Sequence, residues 1–251
     1  MLIQLAEFAR LRGENAAAVA ALEEAEALGQ ELGAWGDLSH IGGKLASVRL
    51  RLGDLAGARA DLERAEREES ARGIGQSDSA IWLSLVRAEL HYREGDAAAA
   101  ARICADLLAV LKDKRSSWSS GVQAIIQARL ALIVLADGDE ARCRALLAEA
   151  LATAASWVEL PPVADVIDAI AVFARQSGEC ATAVATLLGA AHAVRGCFDE
   201  SSLDAPAVRD AVRAALGAEE FGAAYERGRS LPRDDALALA ASAVADPVAA
   251  G

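Results

Sequence analysis

Apolar and small residues recur along this chain in two superposed rhythms, one of three to four residues and one of about forty. The long rhythm reads Ala, any residue, a large apolar residue, four more residues, then Gly and an acidic residue. It stands as Ala6-x-Phe8 before Gly13-Glu14, Ala46-x-Val48 before Gly53-Asp54, Ala88-x-Leu90 before Gly95-Asp96, Ala131-x-Ile133 before Gly138-Asp139, and Ala171-x-Phe173 before Gly178-Glu179. The glycines are 40, 42, 43 and 40 residues apart. After each glycine a second stripe follows. Its members at offset 5 are Ala18, Ala58, Ala100, Cys143 and Ala183; at offset 9, Leu22, Leu62, Cys104, Leu147 and Leu187; at offset 12, Ala25, Ala65, Leu107, Ala150 and Ala190. With about 3.6 residues per turn these offsets fall on one side of a helix. A fixed period of this size predicts an all-α fold, a right-handed superhelical solenoid of about five antiparallel helix pairs over 1–196.

The pattern predicts helices near 2–12, 14–32, 37–52, 54–72, 78–94, 96–113, 118–137, 139–156, 162–177 and 179–195. Linkers are marked by Gly33-Ala34, by Arg72-Gly73-Ile74-Gly75 and by Ser116 to Gly121. Each repeat glycine stands where the first helix must stop, in a left-handed cap that a Cβ would strain. The acidic residue after it begins the next helix, where its charge meets the N-terminal dipole. Past Gly196 the period fails. A loop over 197–204 leads to a helix from about 205 to 216 stopped by Gly217, another over about 219–227 stopped by Gly228, and a last one from Pro232 to about 244. Residues 197–245 thus read as a helical cap, and 246–251 as a frayed tail.

Composition narrows the class. Hydrophobic residues make up 54% of the chain but aromatics only 4%, so alanine and leucine carry the packing, as helix pairs require. No run of 18 consecutive apolar residues occurs, which argues against a membrane span, and Glu7 and Arg10 interrupt the start, where a secretory signal would be apolar. A net charge of −12 without a basic stripe argues against direct contact with nucleic acid. These features point to a cytoplasmic protein. Cys104, Cys143, Cys180 and Cys197 lack metal-ligand spacing and read as buried reduced thiols; no metal and no cofactor are expected. His40, His91 and His192 are scattered, and no catalytic or phosphate-loop motif appears. Trp35, Trp82, Trp118 and Trp157 fall near the starts of first-type helices, where they read as covers for the ends of neighbouring pairs.

The repeat resembles the tetratricopeptide repeat. Its small residue late in the first helix is matched by Ala46, Ala88, Ala131 and Ala171, and its Ala-x3-Phe step by Ala58 with Leu62 and Ala183 with Leu187. The unit is longer than the usual 34 or so residues, and the closing proline is mostly absent. The resemblance implies that first helices line a concave face. Counting 13, 10, 6, 3 and 2 back from the glycines gives His40, Gly43, Ser47, Leu50 and Arg51; then Trp82, Leu85, Glu89, Tyr92 and Arg93; then Ile125, Ala128, Leu132, Leu135 and Ala136; then Asp165, Asp168, Val172, Arg175 and Gln176. The candidate binding residues are His40, Ser47, Arg51, Trp82, Glu89, Tyr92, Arg93 and Arg175, a mixture of aromatic and charged groups suited to a peptide or small molecule.

A more specific resemblance lies near the C-terminus. Leu187-Leu188-Gly189-Ala190-Ala191, Val194-Arg195-Gly196, Phe198-Asp199-Glu200-Ser201-Ser202-Leu203-Asp204, Ala214-Ala215-Leu216-Gly217, Glu220-Phe221, Ala223-Ala224-Tyr225, Gly228-Arg229-Ser230-Leu231 and Asp235 to Ala240 resemble the C-terminal end of actinobacterial regulators of the AfsR/SARP type, and are similar to the tail of large LuxR-type ATPase regulators. This implies a non-catalytic sensor or interaction module. Its partners would be a protein or small-molecule effector and the upstream ATPase and DNA-binding modules of the same regulator. Neither a phosphate loop nor a basic recognition helix is present here. A free-standing adapter for a peptide or protein is the alternative. An all-helical enzyme is the third class, and Asp234-Asp235 lacks the spaced aspartates of prenyl-diphosphate chemistry. Oligomeric state and effector identity stay open.

Overall fold

The computed structural model describes residues 1–71, 77–112, 117–155 and 160–245. Among them are twelve helices and no strand: α1 (Leu2–Leu11), α2 (Asn15–Glu31), α3 (Trp35–Leu52), α4 (Leu55–Ala71), α5 (Asp78–Arg93), α6 (Ala97–Leu111), α7 (Ser117–Ala136), α8 (Glu140–Ala155), α9 (Leu160–Gln176), α10 (Ala181–Arg195), α11 (Ala205–Arg229) and α12 (Arg233–Ala243). The all-α class follows directly. The predicted linker Arg72 to Gly75, the side chains of Trp35, Trp118 and Trp157, and the predicted tail 246–251 lie outside the described residues.

The five repeat glycines turn the chain in one way. Gly13, Gly53, Gly95, Gly138 and Gly178 hold φ of 76, 76, 88, 85 and 82°. After each, the amide of the acidic residue reaches back to a carbonyl five residues earlier: Glu14 to Ala9 at 2.9 Å, Asp54 to Arg49 at 3.0 Å, Asp96 to His91 at 2.8 Å, Asp139 to Val134 at 3.1 Å and Glu179 to Ala174 at 2.9 Å. This is the long bond of a Schellman cap, and only a left-handed residue closes it without strain. The aspartates do more than meet a dipole. Asp54, Asp96 and Asp139 each accept from a backbone amide three residues on, at 2.9, 3.0 and 3.1 Å. Glu14 makes no such side-chain bond, and Cys180 takes the cap position of α10. The shorter aspartate arm suits the capping geometry.

The chain divides into two compact units. The first holds Met1–Ile103 together with Asp199–Ser202. Its core is seams between hairpins. Ala6, Ala18 and Leu22 pack with Ile41, Leu45 and Val48 of α3. Ala58, Leu62 and Ala65 of α4 pack with Leu83, Val86 and Leu90 of α5, and with Ala46 and Leu50. The predicted small-residue stripe is therefore where helices touch. The short segment 199–202 belongs here because Glu200 donates its amide to the Leu11 carbonyl at 3.0 Å, beside the Gly13 corner.

The second unit holds Cys104–Phe198 and Leu203–Gly251. Here α9 packs on both α7 and α8, and α10 packs on α9 and α11. Val184, Ala185, Leu187, Leu188, Gly189, Ala190, Ala191 and Val194 of α10 are all buried. In α7 the stretch Ser119–Ala136 has the length and hydropathy of a membrane span, and two-thirds of it is buried inside the fold.

Gly217 interrupts α11 as predicted: its φ of 78° and ψ of 166° are non-helical, and two helical segments meet there at a kink. Three expectations need correction. Gly228 is not a helix stop. A Cβ there would sit 1.9 Å from the Thr186 carbonyl oxygen, and one at Gly189 would sit 2.0 Å from that of Tyr225. Both glycines exist so that α10 and α11 can touch backbone to backbone. Gly121, read as linker, lies inside α7. Of the four thiols only Cys104 and Cys143 are buried; Cys180 is exposed at the start of α10, and Cys197 is half-buried.

Candidate functional site

The first helices of the first unit, α1, α3 and α5, each carry paired polar groups. On α1, Glu7 accepts from Arg10 Nη2 at 2.7 Å and from Arg10 Nε at 3.0 Å. The other end of the Arg10 guanidinium donates to both Asp199 oxygens, at 3.1 and 2.8 Å, and to Ser201 Oγ at 3.3 Å. On α3, Lys44 Nζ lies 3.8 Å from Glu7 Oε2 and 6.0 Å from the centre of the Trp82 ring on α5. Lys44 thereby joins three helices, pairing with a carboxylate on one side and an aromatic face on the other.

Burial and charge act together here. Burial alone would raise the Glu7 carboxyl, yet Arg10, Lys44 and Arg51 hold it below its ordinary value. Arg10 is pushed the other way: burial opposes its charge, but Glu7 and Asp199 raise its pKa. Lys44 is depressed first by burial and then by Arg10 and Arg51, with only Glu7 pulling against them. Its ammonium is less favoured here than in water.

The predicted residues divide between the units. Ser47 and Arg51 meet on α3, where Arg51 Nη1 donates to Ser47 Oγ at 2.7 Å and to the Ser47 carbonyl at 2.9 Å. On α5 a buried Glu89 accepts from Arg93 Nε at 3.2 Å. Trp82 shows one face to Lys44, and its buried Nε1 makes no hydrogen bond among the described residues. His40 and Tyr92 are half-buried on α3 and α5. Arg175 is exposed on α9, in the second unit. Two neighbours in its predicted lining, Asp165 and Asp168, are taken up by Arg195 of α10, at 2.9 and 2.6 Å. Leu50 belongs to the core.

Glu7, Arg10, Lys44 and Asp199 were not in the predicted set. Two were within reach, since Glu7 and Arg10 stand 6 and 3 residues before Gly13. Those are the offsets that pick out Ser47, Leu50, Glu89 and Tyr92 in later repeats. Lys44 stands one place beyond the chosen offset at Gly43. Asp199 is separated from Arg10 by 189 residues, and no periodicity points to it.

In structure this chain is similar to BtubC (BKLC) from P. vanneervenii. The TM-score is 0.53 at 21% sequence identity, over 87% of this chain and 89% of that one. The likeness is one of fold. No protein-family model and no curated protein matches the chain. Among the described residues no three His, Cys, Asp or Glu side chains converge as metal ligands.

Proposed function

We propose that the chain is a tetratricopeptide-like solenoid of five helix pairs with a C-terminal helical cap, acting as the non-catalytic sensor or interaction module of an AfsR/SARP-type or large LuxR-type regulator. Five equivalent glycine corners and twelve helices without a strand among the described residues support the repeat reading. The polar row of α1, α3 and α5 is the recognition surface, and Lys44 carries this reading. The fold keeps a lysine among Arg10 and Arg51, beside a tryptophan face, where an apolar residue would fill the place more cheaply. Ionisable groups held against their solvation cluster at functional sites. A carboxylate or phosphate on the effector would relieve the excess of cations. Binding then favours one arrangement of the stacked hairpins and alters contacts with the regulator's ATPase module.

The test is calorimetric titration of the chain with the ATPase module of such a regulator. Binding lost on combining Arg51→Ala, Tyr92→Ala and Arg93→Ala supports the reading. Binding that survives all three changes removes the row as the site, and absence of binding with retention of a stable unrelated protein favours the adapter.

A further inference from the structure

The repeat register exposes an unfilled place at the first hairpin. Counting 12, 8 and 5 residues back from the repeat glycines gives Ile41, Leu45 and Val48 on α3, Ile126, Leu130 and Ile133 on α7, and Val166, Ile170 and Phe173 on α9. All nine are buried. On α5 the same count gives Leu83, Arg87 and Leu90; the two leucines are buried, and Arg87 reaches back to Glu66 of α4 with Nε at 2.8 Å. On α1 it gives Met1, Leu5 and Phe8. These are 93, 53 and 67% exposed, whereas Ile41, Leu45 and Val48 are 3, 1 and 3% exposed. The stripe is apolar and covered on α3, α7 and α9, covered at its two leucines on α5, and apolar but bare on α1.

What covers the stripe elsewhere identifies what belongs on α1. Ile41, Leu45 and Val48 pack against Ala6 of the preceding first helix and Ala18 and Leu22 of the preceding second helix. Leu83 and Leu90 pack in the same way with Ala46, Ala58, Leu62 and Ala65. The stripe is thus a seam that receives the small-residue face of the hairpin before it. A second copy of the chain has no such face to offer: Ala18 with Leu22, Ala58 with Leu62, Ala100 with Cys104, Cys143 with Leu147 and Leu187 with Ala190 are all buried already. Isolated exposed apolar residues are ordinary, but three at consecutive seam positions form a face.

We propose that the Met1–Leu5–Phe8 face of α1 is an open inter-repeat seam, and that its occupant is a further helical hairpin of this chain's own repeat type, standing to α1 as α1 and α2 stand to α3. The occupant's contact face carries alanine late in its first helix and the Ala–Leu–Ala stripe in its second. This rests on the repeat reading above and is independent of the polar row.

The test adds that hairpin and asks whether Phe8 notices. A duplicate of residues 35–82 is joined directly before Met1, so that Met1 follows it as Leu83 follows the original. The native chain and the extended chain are each compared with and without a paired Leu5→Glu and Phe8→Glu change. In the native chain the two glutamates should leave the melting temperature unchanged, because nothing covers the positions they replace. In the extended chain the added hairpin should raise the melting temperature by about 5 °C. It should also slow amide exchange in α1 about tenfold, and both gains should vanish with the glutamates. An added segment that contributes no helical circular dichroism overturns the repeat reading and the seam with it. An added segment that is helical, but whose effect on α1 ignores the glutamates, overturns the seam alone. Sedimentation of the native chain as a dimer that the glutamates dissociate assigns the face to a second copy and overturns the proposal.

Discussion

The two units build different surfaces from the same repeat. In the first, Lys44 and Glu7 pair between two first helices with side chains 22 and 44% exposed. In the second, a charge on a second helix is turned inward. Arg195, with a side chain only 4% exposed, is held between Asp165 and Asp168. The α10 helix, which in repeat terms is an ordinary second helix, is buried on almost every side because α9, α11 and α12 surround it. A repeat position fixes which way a side chain points. Whether it then meets solvent, a ligand or another helix depends on what the chain stacks next to it. The lesson is sharpest in the glycines. Gly53 has nothing within 4 Å of a would-be Cβ and is needed only for its φ, whereas Gly189 and Gly228 have ordinary helical backbones and are needed only for their missing side chains.

That contrast can be broken by substitution. The largest expected effect is Gly189→Leu or Gly228→Leu, which drives a side chain into a facing carbonyl. The loss should be at least about 3 kcal/mol, seen as a large fall in denaturant midpoint. Next is Arg195→Met, which leaves Asp168 buried without its cation and should cost about 3 kcal/mol in the same assay. Gly53→Val should cost about 1 kcal/mol or somewhat more, from dihedral strain alone. If Gly53→Val proves as damaging as Gly189→Leu, the two glycines do not differ as described.

The smallest effects are in pH dependence, and they separate the units. His192, whose Nδ1 lies 2.8 Å from the Tyr225 hydroxyl, has its pKa lowered from 6.5 by burial and by Arg229. A histidine depressed in the fold contributes stability that is complete above 6.5 and is lost as pH falls through the folded value. Glu7 is likewise depressed, from 4.5, so its contribution is complete above 4.5 and lost below it. Melting followed against pH should show the second unit weakening first, and His192→Gln should flatten that limb while leaving the one due to Glu7 in place.

Much of the fold was legible in the sequence because its determinants are local and repeated. A glycine that must take positive φ recurs at each corner, and a stripe of alanines recurs at each seam. Helix ends therefore lie within a few residues of expectation. What stayed hidden depends on distance along the chain. Nothing near Arg10 indicates that Asp199 will meet it, and nothing near Gly228 distinguishes a helix stop from a helix crossing. The offset rule found half of the polar row and missed Glu7 and Arg10 only because it was begun at the second repeat. Arg175 is exposed on α9, and the two aspartates in its predicted lining are occupied by Arg195, which no offset points to.

The most direct measurement of the central claim, that the polar row is kept for binding at some cost to folding, is the thermal stability of Lys44→Met at neutral pH. Because the ammonium is less favoured in the fold than in water, its removal should leave the melting temperature unchanged or raise it. Ala46→Leu, two residues on in the seam, should lower it sharply. A fall for Lys44→Met as large as that for Ala46→Leu would make Lys44 a structural residue and contradict the account.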